Sequence, residues 1–374
     1  MKPARARPLT IVADDLTGAC DTGTLFAGRA PVPVTVWPRR AVEAAVRVVD
    51  TESRAVPPAE AASRVSAVAG RARSGYWFKK IDSTLRGPIG AEVDALLRAI
   101  GATTTIVCPA FPAQGRVVLD RALLVGGVPV ADTPIARDPQ FPGGSSSVVE
   151  ILRAQLDRAL AWIPIDQLRA GPEALVARLR RLAGTAIVAD AETDADLDAL
   201  VEAALAVTPM PLLVGAAGLA HALAARLGWL AERTELPSGP RWLIVAGSRH
   251  PATRRQIREA RAAGLTVLAT AERPAEDRAD VLARLIEQAV AALERERWDL
   301  VVVTGGETAV ALWTALGAER IDLVGAPAPG LAFGHLRVPG HEPLPIVTKA
   351  GGFGPPDLLV ALSMVARVAG EASL

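Results

Sequence analysis

No asparagine occurs anywhere in the 374 residues, so turns and helix starts must be written with aspartate, serine, threonine and glycine. Cysteine is nearly absent too. Cys20 and Cys108 have no second cysteine or histidine at metal-ligand spacing, which argues against a disulfide framework or a zinc motif. The four histidines, His221, His250, His335 and His341, are equally scattered, and no protein-bound metal is expected. No run approaches the roughly 18 consecutive apolar residues of a membrane span. A formal net charge of +1 offers no basic field for nucleic acid. The basic N-terminus leads straight into Leu9–Ala13 and then Asp14 and Asp15, with no apolar stretch long enough for a signal peptide. The expectation is a cytoplasmic protein with neither nucleic acid nor membrane as partner.

Lysine is the most informative scarcity. Of 41 basic residues only Lys2, Lys79, Lys80 and Lys349 are lysine, so ordinary surface charge here is arginine. An ammonium is a compact charge that reaches a phosphate or hydroxyl where a planar guanidinium does not fit. Two of the four open KKIDSTLRGPIGAE, Lys79 to Glu92. Tyr76 to Ile81 reads as a short buried strand, and Ile89, Val93, Leu96, Leu97 and Ile100 repeat at helical spacing. Lys80, Asp82, Ser83 and Arg86 therefore fall at a strand-to-helix turn, where open α/β sheets bind ligands.

Short β-branched runs alternate with amphipathic segments along the whole chain, the pattern of parallel sheets covered by helices. At 374 residues, two domains are expected. The first strand, Leu9–Ala13, ends in DDLTGACDTG, whose carboxylates suit hydroxyl binding, Mg²⁺ or base catalysis, before a helical stretch through Arg29. Val32–Val36 and Val46–Asp50 follow, and Arg54 would lie near Asp14 if the strands are neighbours. Pro58 to Ala72 reads as a helix. Thr105–Cys108 leads into PAFPAQGR, a fixed loop whose Arg116 is a candidate anion contact. Val117 to Val130 looks like a hairpin turning at Gly126-Gly127. Ala136 to Ser147 is a turn-rich segment that borders a cleft or merely connects elements. Strands near Ala186–Ala189 and Pro211–Val214 complete the first half.

ELPSGP, Glu235 to Pro240, breaks the pattern and sets the boundary between domains 1–236 and 241–374. In the second domain three strand ends carry glycine-rich turns: GSRHPATRRQ after Leu243–Ala246, GGET after Leu300–Thr304, and KAGGFG after Ile346–Thr348. Together they suggest backbone amides converging on phosphates, with Lys349 or Ser248 adding charge or a hydroxyl. None matches the Walker or the dinucleotide pattern.

IVADDLTGACDTG, KKIDSTLRGPIGAE, CPAFPAQGR, Ala246-Gly247-Ser248, TGGETA and KAGGFG, in this order, resemble the four-carbon acid sugar kinases over nearly the whole chain. That resemblance implies an α/β protein of two domains, each a mostly parallel sheet flanked by helices, with the active site in the interdomain cleft. It implies an N-terminal acid-sugar domain, a C-terminal nucleotide domain, and ATP-dependent phosphorylation of the 4-hydroxyl of a tetronate. Asp14, Arg54 and the segment Lys80, Ile81, Asp82, Ser83 would hold the substrate; Ser248, Gly305, Gly306, Glu307, Thr308, Gly351 and Gly352 would hold ATP. Pro88 and the segment Asp120 to Val125 depart from the family pattern, which puts substrate preference in doubt.

Chemically, Arg54 or Arg86 would clamp the substrate carboxylate, Asp15 or Asp82 would orient or deprotonate the hydroxyl, and Lys80 with Mg²⁺ would offset charge on the phosphoryl group. The alternatives are a sugar-acid-binding protein without catalysis, a kinase of another small hydroxy acid, and a nicotinamide-dependent oxidoreductase. A homodimer is the expected assembly.

Overall fold

The computed structural model describes residues 7–70, 75–248, 250–270 and 277–371. Lys2, Arg249 and the expected helix end at Ala72 lie outside them. The chain divides into two compact units, the first of residues 1–26 with 35–230 and the second of residues 27–34 with 231–374.

Strands run in chain order as β1 (Leu9–Ala13), β2 (Val32–Val36), β3 (Val46–Asp50), β4 (Tyr76–Lys80), β5 (Thr105–Cys108), β6 (Arg116–Leu119), β7 (Ala122–Val125), β8 (Val128–Pro129) and β9 (Leu160–Ile163). They continue as β10 (Ala186–Ala189), β11 (Leu212–Gly215), β12 (Trp242–Ala246), β13 (Thr266–Ala269), β14 (Leu300–Thr304), β15 (Arg320–Gly325), β16 (Leu331–Arg337) and β17 (Leu344–Lys349). In the first unit β3-β1-β4-β11-β5-β10-β9 form a wholly parallel sheet. Its strands are buried on both faces; every residue of β1, β3, β5, β10 and β11 is buried, Arg47 and Asp50 among them.

In the second unit β13-β12-β14-β17 are parallel, but β17, β16, β15 and β2 pair antiparallel. Sequence reading found neither β15 nor β16. In β15 buried and half-buried residues alternate, the signature of a strand buried on one face, and RIDLVG carries it with only three aliphatic side chains.

Two local expectations need correction. The helix after β1 is Leu16–Thr24 and does not continue to Arg29; Gly18 and Gly23 lie within it. The segment from Val117 to Val130 is a three-stranded meander, β6-β7-β8, and not one hairpin. Its first turn is Asp120-Arg121, both with positive φ (48° and 70°). Buried Asp190 holds this turn, accepting from the backbone amides of Asp120 at 2.9 Å and Arg121 at 3.1 Å and from Trp162 Nε1 at 3.0 Å. Among the described residues no helix is long and apolar enough to cross a membrane.

Candidate active site

The first unit assembles its polar residues at the carboxyl ends of three adjacent parallel strands, β3, β1 and β4. Register does this. Thr51 N donates to Ala13 O at 2.9 Å and Ser53 N to Asp14 O at 3.0 Å, so the chain after β3 runs on beside Asp14. Arg54 then grips both oxygens of Asp14, Nε to Oδ2 at 2.7 Å and Nη2 to Oδ1 at 2.9 Å, and reaches Asp15 Oδ1 at 2.6 Å. Asp15 is also the N-cap of Leu16–Thr24, accepting from Gly18 N at 3.1 Å and Thr17 Oγ1 at 2.6 Å. A Cβ on Gly18 would collide with Asp15 and stand 3.0 Å from Lys80 Nζ, so the glycine lets helix, carboxylate and ammonium crowd together.

At the end of β4 the two lysines diverge. Lys79, fully buried, pairs with buried Glu92 of the helix Ile89–Ile100 at 3.1 Å, and Ser53 Oγ donates to the same carboxylate. Lys80 stays by Asp15 and donates to Ile81 O at 2.8 Å. The Ile81 side chain is fully buried, so what it offers a ligand is backbone; Ser83 beside it is half-buried.

Asp82 organises the turn that follows. It accepts from Thr84 N at 3.2 Å and Arg86 N at 3.3 Å, from Thr84 Oγ1, and from the Arg86 guanidinium at 2.8 and 2.9 Å. Buried Leu85 takes a positive φ of 64° to let the turn close on this carboxylate. Arg86 also donates to Asp138 at 3.0 Å, which draws the segment after the meander onto the site.

Charge in this cluster is mutually compensated. Burial works to protonate Asp14, but Arg54, with Lys79 and Lys80 behind it, outweighs burial and holds the carboxyl below its usual range. Burial opposes ionisation of Asp82 as well, yet Arg54, Arg86 and the Thr84 hydroxyl drive it far lower. Asp50 and Glu52 go the other way. Burial raises both, and Glu52 raises Asp50 further.

The second unit brings its three glycine-rich turns together. A Cβ on Gly351 would strike Ser248 Oγ, and one on Gly247 would strike Thr308 Oγ1. Gly305, at φ 94°, lies against Ser248 and Thr308, and its amide donates to Lys349 O at 2.9 Å. Thr253 Oγ1 donates to Gly351 O, and Gln256 Nε2 holds the carbonyls of Phe353, Gly354 and Pro355 at 2.8 to 3.1 Å. Gly352 stands next to the His250 ring, and Gly306 begins the helix Gly306–Ala315. Glu307 is exposed and paired with Arg278. Lys349 is fully buried, and burial pulls its ammonium down from 10.5 to about 8. Backbone turns and hydroxyls brought together with a buried ammonium beside them suit the binding of a polyphosphate.

Sequence reasoning did not find Glu52, Ser53, Glu92 or Asp138. The first three stand inside the motifs TESR and GPIGAE, where nothing in the sequence marks them apart from their neighbours; Asp138 is a lone acid in a turn-rich stretch, with no signal that it meets Arg86. Among the described residues no group of three or more His, Cys, Asp or Glu is arranged to hold a metal ion.

Comparison with known proteins agrees with this division of labour. Residues 9–223 match the sugar-binding N-terminal domain family, and residues 275–359 match the nucleotide-binding C-terminal domain family. A D-threonate kinase of Salmonella typhimurium is 34% identical, with 92% of this chain and 95% of that protein aligned. A D-erythronate kinase of Heliobacterium modesticaldum is 30% identical, at 93% and 94%. A Bordetella bronchiseptica structure described as a domain of unknown function, a domain-swapped dimer with bound citrate, is 32% identical with a TM-score of 0.52, covering 96% of this chain and 98% of its own.

Proposed function

Because the chain belongs to the four-carbon acid sugar kinase family, we propose that it transfers the γ-phosphoryl group of ATP to the 4-hydroxyl of threonate, erythronate or an oxo-tetronate. The observation that carries this reading is the cluster of Asp14, Asp15, Lys80 and Asp82, at the carboxyl ends of neighbouring parallel strands, in a chain whose other unit brings three glycine-rich turns together.

The carboxylates are given distinct roles. Asp14 and Arg54 form a fixed wall, each satisfying the other. Asp82, held so far below the ordinary carboxylate range, is a poor proton acceptor and serves to fix Arg86 and Arg54. Asp15 is the acceptor that orients the attacking hydroxyl and takes its proton, and Lys80 offsets charge on the transferred group. Ile81 and Ser83 present backbone and hydroxyl to the substrate.

In the second unit Ser248, Gly305, Gly306, Thr308, Gly351 and Gly352 hold the ATP phosphates. Glu307 opens the same helix and supports it through Arg278. ATP supplies the phosphoryl group, with Mg²⁺ on its phosphates neutralising charge. The dimer of the Bordetella relative supports a homodimer here.

The reaction is tested by ADP release with Mg²⁺ and ATP across the D- and L-threonates, D- and L-erythronates and oxo-tetronates, with product mapped by NMR. One acid is expected to react rapidly and emerge as the 4-phosphate. Binding of an acid with no turnover would instead favour a binding protein.

Lys349 gives the nucleotide half a pH signature. A lysine lowered from 10.5 to about 8 loses its charge as pH rises through 8, whereas a bound phosphate would keep it charged. ATP affinity is therefore expected to weaken about tenfold from pH 7 to pH 9. Calorimetry across that range checks it, and Lys349→Met should give a flat, weak profile.

A further inference from the structure

Arg54, Arg86 and Arg116 stand in the turns at this carboxyl edge, and the first two are already engaged. Arg54 is bound by Asp14 and Asp15, and Arg86 by Asp82 and Asp138. Neither presents a free two-pronged edge to an incoming carboxylate. The third is Arg116. Its Nη1 donates to a nearby backbone carbonyl, that of Gln114, and among the described residues its buried Nε has no hydrogen-bond partner. Its loop leaves the carboxyl end of β5, which lies across β11 from β4 in the same parallel sheet, so it opens at the same edge as the turn that carries Asp82 and Arg86.

The loop that carries Arg116 is rigid. Phe111 N donates to Arg116 O at 2.8 Å and Arg116 N to Phe111 O at 3.1 Å, closing the six-residue span on itself. A 3-10 turn, Pro112–Gln114, fills it, and Gly115 ends it at φ 67°. The guanidinium is thus presented at the first residue of β6, and among the described residues no carboxylate pairs with it. A buried, unmatched donor carries a cost that a ligand acceptor removes.

We propose that Arg116 is the residue that takes the carboxylate of the acid sugar, and so sets the selectivity for an acid over a neutral polyol. This rests on the kinase reading above and adds the contact that Arg54 and Arg86 are not free to make. The geometry suits it, since a planar guanidinium offers a carboxylate two parallel donors.

The test is steady-state kinetics of the wild type, R116Q and R116K with the reactive acid, its neutral amide and ATP. R116Q is expected to raise KM for the acid on the order of 10–100-fold, the range of a lost charge-assisted hydrogen bond. KM for ATP should stay within about twofold, and preference for acid over amide should largely vanish. R116K, with charge but no fork, should fall in between. An unchanged KM for the acid, or a rise confined to ATP, overturns the proposal. If the wild type phosphorylates none of the acids, the kinase reading fails separately, and Arg116 is judged by calorimetry of the same acids. There, equal binding by wild type and R116Q, or no binding by either, overturns the role.

Discussion

Asp15→Asn is expected to lower kcat about a hundredfold or more while the protein stays folded. Asparagine is as good an N-cap as aspartate, so the bond from Gly18 N survives and the helix Leu16–Thr24 keeps its start. What is lost is the charge that Arg54 touches and the ability to accept a proton. Asp82→Asn should behave differently. Asp82 is gripped by Thr84 and Arg86 and lies 3.8 Å from Arg54, so neutralising it weakens the hold on Arg86 and removes a charge beside Arg54, and should cost stability as well as turnover. Measuring kcat beside the thermal midpoint of both variants separates them. A near-normal rate for D15N, with D82N folded but inactive, would move the proton acceptor to Asp82.

The largest effect on stability is expected at Lys79, which never meets solvent. Its pair with Glu92 has 0% and 1% of the two side chains exposed. Lys79→Met leaves a buried carboxylate with Ser53 as its remaining partner, and removing one member of such a pair typically costs about 3–5 kcal/mol. Replacing Glu92 by leucine in the same chain should recover much of that, because two apolar groups of similar volume often do as well as the buried pair. Urea denaturation of the single and double variants checks both statements. A single variant within about 1 kcal/mol of wild type would mean that Glu92 takes up a proton at little cost.

Much of the fold could be read before any coordinates because its strands announce themselves. Leu9–Ala13, Val46–Asp50, Thr105–Cys108 and Leu300–Thr304 are short apolar runs with a turn signal on the carboxyl side. Their shortness and the flanking turn residues decide for a strand buried on both faces over a helix. The nearness of Arg54 to Asp14 followed from one assumption, that β1 and β3 are neighbours, and they are paired residue for residue.

What could not be read was pairing at a distance and turns without glycine. Nothing in the sequence says that Glu92 turns inward to Lys79 or that Asp138 comes back to Arg86. The meander was misjudged because Gly126-Gly127 is a conspicuous turn, whereas Asp120-Arg121 reaches positive φ only with Asp190 accepting both its amides. Likewise the availability of Arg116 is not a property of its motif. It appears only when Arg54 and Arg86 are seen to be engaged by carboxylates.

The membership of residues 27–34 in the second unit bears on how a ribosome makes this protein. Val32, Pro33 and Val34 pair with Leu323, Asp322 and Ile321, so one strand of the last unit to be completed is among the first segments synthesised. At ordinary translation speeds of about 5–20 residues per second it waits roughly 15–60 s for a partner roughly 290 residues downstream. Through that interval its amides and carbonyls form an open edge, the kind that recruits other chains. Hence the second unit cannot be produced from the C-terminal half of the gene alone without leaving β15 with a bare edge.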